Sequence, residues 1–160
     1  MNNKTLSIKK SKNGNGVFAK KNFKIGEVVI ELKGTLITCY LDDDIDEQTR
    51  SNTIRYSNEK FLNPKGELGE LINHSCNPNS KIVKKGKKLF IIAIEPILKN
   101  TEVLFDYSTI IANDDIWTMR CNCGSKNCRK IIKSFNLLPK SIQSNYIKSK
   151  IVPKHILVIK

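Results

Sequence analysis

Cys121, Cys123 and Cys128 form a C-x-C-x4-C cluster in the last third of a 160-residue chain. A structural zinc takes four thiolate or imidazole ligands in a tetrahedron, with sulfur at about 2.3 Å. The cluster supplies three, and the fourth must come from Cys76, Cys39, His74 or His155. Without a metal these thiols would stand beside Lys126, Arg129 and Lys130, which lower thiol pKa values and invite oxidation. Redox pairs use C-x-x-C, a spacing absent here, so metal binding is the better reading.

Three other groupings carry chemistry only in combination. Gly14-Asn15-Gly16 would let a backbone approach a ligand, yet it also reads as a plain surface turn. Asn73-His74 could be a satisfied hydrogen-bonding pair, and Tyr107 beside Asp106 an ordinary half-buried tyrosine. Function has to come from how such groups converge.

The elements that would position them are short. Lys12–Ala19 reads as a glycine turn entering a strand, and Glu27–Leu32 as a strand bounded by Gly26 and Gly34. Lys81–Val83 and Lys88–Ile94 make a hairpin with a basic tip at Lys85–Gly86, and Glu102–Tyr107 a further strand. Asn73–Asn79 (NHSCNPN) is rich in turn formers and reads as irregular. Leu41–Tyr56 reads as an exposed acidic stretch with a short helix from Asp44, and Asp114–Met119 as one or two helical turns. Ser141 would cap a helix to Lys148. The pattern is a mostly β domain with short helices.

Composition excludes other classes. At 39% hydrophobic residues the chain is globular, and its apolar runs are far too short to span a bilayer. The lysine-rich start shows no apolar signal region, so an intracellular, reducing setting is expected, in which five cysteines favour metal or catalysis over disulfides. The net charge of +13 is unevenly spread, with nine basic residues and no acid in 121–160 and eight acids in 41–80. A basic chain can bind nucleic acid, but no aromatic-and-basic motif accompanies this charge.

In order, NGNGVFA (13–19) with FKIGEVVI (23–30), INHSCNPN (72–79), EVLFDY (102–107) and CNCGSKNCR (121–129) resemble the SET-domain methyltransferase family. The resemblance runs from about Lys9 to Lys130. It implies a SET fold of small curved sheets around a knot-like crossing, otherwise a rare topology. It divides the chain into a SET domain at 1–120 (core 9–110, variable insert 41–72), a post-SET zinc loop at 121–133 and a tail at 134–160. It also implies protein-lysine N-methyl transfer from S-adenosylmethionine to a basic protein, with histones the best-known substrates.

The resemblance assigns roles by position. Asn13, Gly14, Asn15 and Gly16 would line the methionine end of S-adenosylmethionine, and Asn73 and His74 its amino and adenine portions, with Tyr107 close by. Tyr107 would orient the lysine amine and Phe105 would wall the channel, leaving room for more than one methyl group. Cys76 would complete a Zn2+ site with Cys121, Cys123 and Cys128. Asp106 would be structural. Leu32 stands where relatives often carry a tyrosine, so that aromatic is either missing or supplied from elsewhere, by Tyr40 or Tyr56, and Glu70 stands where many have arginine. Cys39 reads as a buried strand cysteine, and the acidic run Asp42–Glu47 either as a recruiter of basic substrate or as a solvated loop whose acids offset the surrounding lysines. Two other readings are an inactive zinc-stabilised SET-like binding module and a basic zinc-dependent nucleic-acid binder. The intact FDY and NHSC segments favour the enzyme. A nuclear or chromatin-associated setting fits a histone substrate, and a secreted effector would fit a microbe living inside another cell.

Overall fold

Polar Lys12 and Asn13 turn the chain between two strands of opposite direction, β1 (Leu6–Ser11) and β2 (Gly14–Ala19). Leu6 pairs with Ala19, and Leu6, Val17 and Ala19 point into the core, as the two-residue period of a strand requires. The computed structural model describes residues 3–38, 51–115 and 117–159. Cys39, Tyr40 and the acidic run Asp42–Glu47, with the helix expected from Asp44, lie outside these residues.

The central sheet has the order β3 (Val28–Leu32), β8 (Lys88–Ala93), β7 (Ser80–Lys85), all antiparallel. A second sheet places β4 (Thr35–Thr38), β6 (Lys60–Asn63) and β5 (Ile54–Arg55) side by side. The thiol cluster lies near the two-stranded pair β9 (Met119–Arg120) and β10 (Ile131–Ile132). Single-turn 3-10 helices occupy Leu68–Leu71, Tyr107–Ile110 and Phe135–Leu137. The chain closes with α1 (Lys140–Lys148) and α2 (Lys154–Val158). Among the described residues no helix is long and apolar enough to cross a membrane.

The main core gathers Val17, Leu32, Leu68, Ile72, Ile91 and Val103 among others, drawn from both larger sheets and the hairpin. The tail has its own small core, in which Phe135, Leu138, Tyr146, Val152 and Ile156 pack on Ala112. Burying such side chains stabilises by about 1.5–3 kcal/mol each.

Four expectations are corrected. Glu102–Tyr107 is extended at first but forms no ladder. Val103 N–H donates to Val17 O at 2.8 Å, Leu104 N–H to the Asn79 side chain at 2.9 Å and Phe105 N–H to Asn73 O at 3.2 Å. The segment is wedged between β2 and Asn73–Asn79, so its bonds go to two different neighbours, and it ends as the Tyr107 3-10 turn. Asp114–Met119 shows no helix among its described residues, because the Asp114 and Asp115 carboxylates are drawn to Arg55. Pro139, not Ser141, holds the N-cap position of α1 and makes no side-chain cap. Ile54 and Arg55 are buried rather than exposed, because they form the edge strand β5.

Candidate active site and thiolate cluster

Two segments distant in sequence build a cradle. Asn73 Nδ2 donates to Asn15 O at 3.0 Å and to Glu102 Oε1 at 2.8 Å, while Ser11 Oγ donates to Glu102 Oε2 at 2.7 Å. This closeness explains Gly16: a Cβ there would come within 2.1 Å of Glu102 Oε1 and 3.0 Å of Asn73 Nδ2. Asn73 and His74 are then carried alongside 102–105, with His74 and Phe105 bridged in parallel. The resemblance gave Glu102 no role, and its carboxylate proves to be the hinge of the cradle. Asn13 and Gly14 lie at the β1–β2 turn.

Ile72 and Phe105, next in sequence or paired to the cradle residues, line a small pocket of about 50 Å3, the candidate channel. Phe105, Tyr107, Ile72 and Trp117 are among its walls, and Glu70 and Asp115 supply carboxylates. Phe105 and Tyr107 rings are tilted with centroids 4.9 Å apart, and Tyr107 is 5.3 Å from the His74 ring. Tyr107 donates its hydroxyl to Ile72 O at 2.8 Å. Burial pushes the Tyr107 hydroxyl well above the ordinary tyrosine range, with Glu102 adding to the effect, so it stays protonated. Both acids are engaged: Glu70 accepts from Gly66 N–H at 2.8 Å, and Asp115 from Arg55 and from Ala112 N–H.

Tyr56 does not take the place left by Leu32. Its hydroxyl donates to Lys87 O at 3.1 Å, and the ring lies under Lys84. Trp117 is the aromatic on the channel wall that sequence reasoning missed. The only signal was that it is the sole tryptophan of the chain.

The thiols converge as the spacing suggested. Cys76 and Cys121 sulfurs are 3.7 Å apart, and Cys128 and Cys121 sulfurs 3.6 Å. A tetrahedron of sulfurs at about 2.3 Å from a metal has edges of about 3.8 Å, so these separations fit one ion. His74, Cys76, Cys121 and Cys123 have their ligand atoms within 4.8 Å of one another, a set that could hold a metal. Cys128 is not in that set but touches it through Cys121. His155 is elsewhere, bonded through Nε2 to Arg55 O at 3.0 Å.

The hydrogen bonds of His74 bear on the choice between the two ligand sets. Its Nδ1 accepts from Tyr107 N–H at 3.1 Å, so the single proton of a neutral ring sits on Nε2 and points at Cys76 Sγ, 3.3 Å away. Burial, opposed by Asp106 and aided by Arg129, lowers the His74 pKa to about 4, so the ring is neutral. Both nitrogens of His74 are thus engaged, with Nε2 aimed at the Cys76 sulfur. Arg129 N–H is a second donor to that sulfur, at 3.4 Å. Burial disfavours the Cys123 thiolate, yet hydrogen bonds from the backbone at Cys76 and from Ser125 bring its pKa to about 6. The donor set suits a cation that binds thiolates.

A buried carboxylate joins cluster and channel. Asp106 Oδ1 accepts from Arg129 Nη2 at 2.7 Å and from Ser108 N–H at 3.0 Å, and Asp106 is flanked in sequence by Phe105 and Tyr107. Arg55 braces another part of the lining, which includes Ile54, Asp115 and Trp117. Its guanidinium, 3% exposed, pairs with Asp114 and Asp115 at 2.8 Å each and ties β5 to the segment that leads to Trp117.

A family model described as SET domain matches residues 14–108. Histone-lysine N-methyltransferase 2B of Homo sapiens is 33% identical over 74% of this chain and 5% of its own length. Histone-lysine N-methyltransferase trithorax of Drosophila melanogaster is 32% identical over 74% of this chain and 3% of its own length. The H3 lysine-36 specific histone-lysine N-methyltransferase of Candida glabrata is 31% identical over 72% of this chain and 18% of its own length. The chain thus spans only a small part of these relatives. The family match covers more than half of it and takes in Gly14–Gly16, Asn73–Asn79 and Phe105–Tyr107, and the chain belongs to the SET domain family.

Proposed function

We propose that the chain is a protein-lysine N-methyltransferase that uses S-adenosylmethionine and acts on a basic protein, with histones the first candidates. The observation that carries this is the small pocket walled by Phe105 and Tyr107, with Ile72 and Phe105 next in sequence or paired to residues of the Gly14–Gly16 and Asn73–His74 cradle. The three relatives named above are histone-lysine N-methyltransferases by name, which supports the substrate class.

Asn13, Gly14, Asn15, Gly16, Asn73 and His74 would hold S-adenosylmethionine, which when bound supplies an electrophilic methyl group. The chain's own residues must deliver a neutral amine to it. A free lysine has a pKa of about 10.4, so about one in a few thousand is neutral at pH 7. A channel of about 50 Å3 strips the ammonium of water and disfavours its charge. The Tyr107 hydroxyl, its proton committed to Ile72 O, presents oxygen lone pairs that can accept from the amine and aim it. Glu70 and Asp115 are already engaged and are assigned no proton transfer.

Cys76, Cys121, Cys123 and Cys128 would hold one structural zinc. That ion would tie the 121–133 loop to the segment carrying His74, making it part of the scaffold of the site. Residues 134–160 are the tail in this reading, packed on Ala112.

The test is incubation of the metal-loaded protein with labelled S-adenosylmethionine, histones and a whole-cell lysate, with mass spectrometry of labelled bands. Methyl groups on lysine side chains are expected. Cofactor binding with no transfer to any protein would mark an inactive binding module and overturn the proposal.

A further inference from the structure

Residues 81–88 carry five lysines and no acid, and residues 121–160 nine basic residues and no acid. The fold brings these two stretches together. Lys81 Nζ donates to Lys150 O at 2.9 Å, joining β7 to the turn that follows α1. Along β7, Ser80 and Ile82 are buried, so Lys81 and Lys85 stand on the outer face. Gly86 takes a left-handed φ of 57° in the tight turn that sets Lys85 opposite Lys88, leaving Lys87 exposed at the tip. Lys84 is not part of this face, since its ammonium bonds Tyr56 O and lies over that ring. Lys88 is paired with Glu31, whereas no described carboxylate is in ion-pair contact with Lys81, Lys85, Lys87, Lys148 or Lys150.

We propose that Lys81, Lys85, Lys87 and Lys150, with Lys148 beside them, form a face that binds duplex DNA through its phosphates. Like charges gathered on one face repel, as Lys150 does Lys81, and a polyanion relieves that repulsion while releasing its own counterions. The Lys81 ammonium is already disfavoured, first by burial and then by Lys150, so a phosphate at this place is felt strongly. The face suits a duplex rather than a single strand. Its aromatic, Phe90, is half-buried with Lys85 6.0 Å above the ring, so no bare ring is offered to an unstacked base. Backbone contacts of this kind position a protein without reading sequence. None of these lysines lines the channel, the cradle or the thiol cluster, so the inference stands apart from methyl transfer.

Fluorescence anisotropy with a labelled duplex of about 20 base pairs and arbitrary sequence, from about 50 to 200 mM salt, tests it. The full chain should bind with a steep salt dependence. The Lys85→Glu, Lys87→Glu, Lys150→Glu triple variant should bind at least about tenfold more weakly, and its log–log salt slope should fall by about two to three, near 0.9 per lost contact. A control triple with Lys33, Lys65 and Lys99 changed to Glu has the same net charge and should keep most of the slope. If the first triple fails to fold, Lys87→Glu alone should lower the slope by about one. Equal losses in the two triples would reduce the effect to net charge and overturn the proposal. So would tighter binding of a single strand of the same length, equal competition by polyglutamate, or no binding by the wild type.

Discussion

Tyr146 donates its hydroxyl to Asp106 Oδ2 at 2.9 Å, although 40 residues of chain separate them. The tail thus reaches the carboxylate that sits between Phe105 and Tyr107 and anchors Arg129. Asp106 is fully buried, so each lost donor leaves it short of a partner. Tyr146→Phe should cost about 1–3 kcal/mol in urea unfolding. Arg129→Met should cost more, about 3–5 kcal/mol, because it strands a buried charge. Wild-type stability in Tyr146→Phe would show that the tail packs on the domain without supporting Asp106.

Tyr107→Phe deletes one hydroxyl on the channel wall and leaves the ring packing on Phe105 and His74. Turnover should fall by about a hundredfold from loss of amine orientation. Calorimetry should show cofactor affinity close to wild type. Affinity lost together with turnover would assign Tyr107 to the scaffold instead.

About one zinc per chain is expected by elemental analysis. Cys76→Ser and Cys128→Ser should each lose the metal, and activity with it, as structural zinc contributes directly to folding. His74→Gln separates the two ligand sets. Its side-chain amide can still donate toward Cys76, so the variant should keep its metal. Metal loss in His74→Gln with retention in Cys128→Ser would exchange the roles assigned to these residues.

Short segments with fixed chemistry were legible in the sequence, and contacts between distant segments were not. C-x-C-x4-C announces its convergence because its spacing is that of a metal-ligand cluster, and the NHSC and FDY segments carry their family with them. Arg55 shows the other case. A lone arginine near an acidic stretch reads as solvated, yet it is buried because Asp114 and Asp115, about sixty positions on, come to meet it. Glu102–Tyr107 has the composition of a strand, and only its wedged position between two unlike neighbours denies it a ladder. β1 and β4 went unread because Lys9, Lys10, Thr35 and Thr38 dilute their apolar alternation. Tyr146 and Trp117 gave no local sign of their partners.

Phe105 is 3% exposed and lines a pocket of about 50 Å3, which in the proposed reading would leave little room around a substrate amine. A hydroxyl added there would occupy space that a second methyl group needs. Wild type should reach at least dimethyllysine, and Phe105→Tyr should shift products toward monomethyllysine by mass spectrometry. Identical product distributions would remove Phe105 from control of methylation state.

His155 predicts how stability responds to acid. Burial holds its pKa below the ordinary histidine value, and Lys84 and Arg55 push the same way, while its bond to Arg55 O favours the charged form. In the unfolded chain it titrates near the ordinary value of about 6.5. Below that pH the unfolded state binds the proton more readily than the native one, so acid favours unfolding. The contribution of His155 is therefore complete above about pH 6.5 and is lost as pH falls toward the native value. His155→Gln can keep a donor for Arg55 O but cannot titrate. Between about pH 8 and pH 5.5, wild type should lose more stability in urea than the variant. His74 has a lowered pKa of the same sign, but it is present in both proteins and cancels in the comparison. Parallel stability curves would mean that His155 accepts its proton in the native state as easily as in the unfolded chain, and that α2 does not bury it in solution.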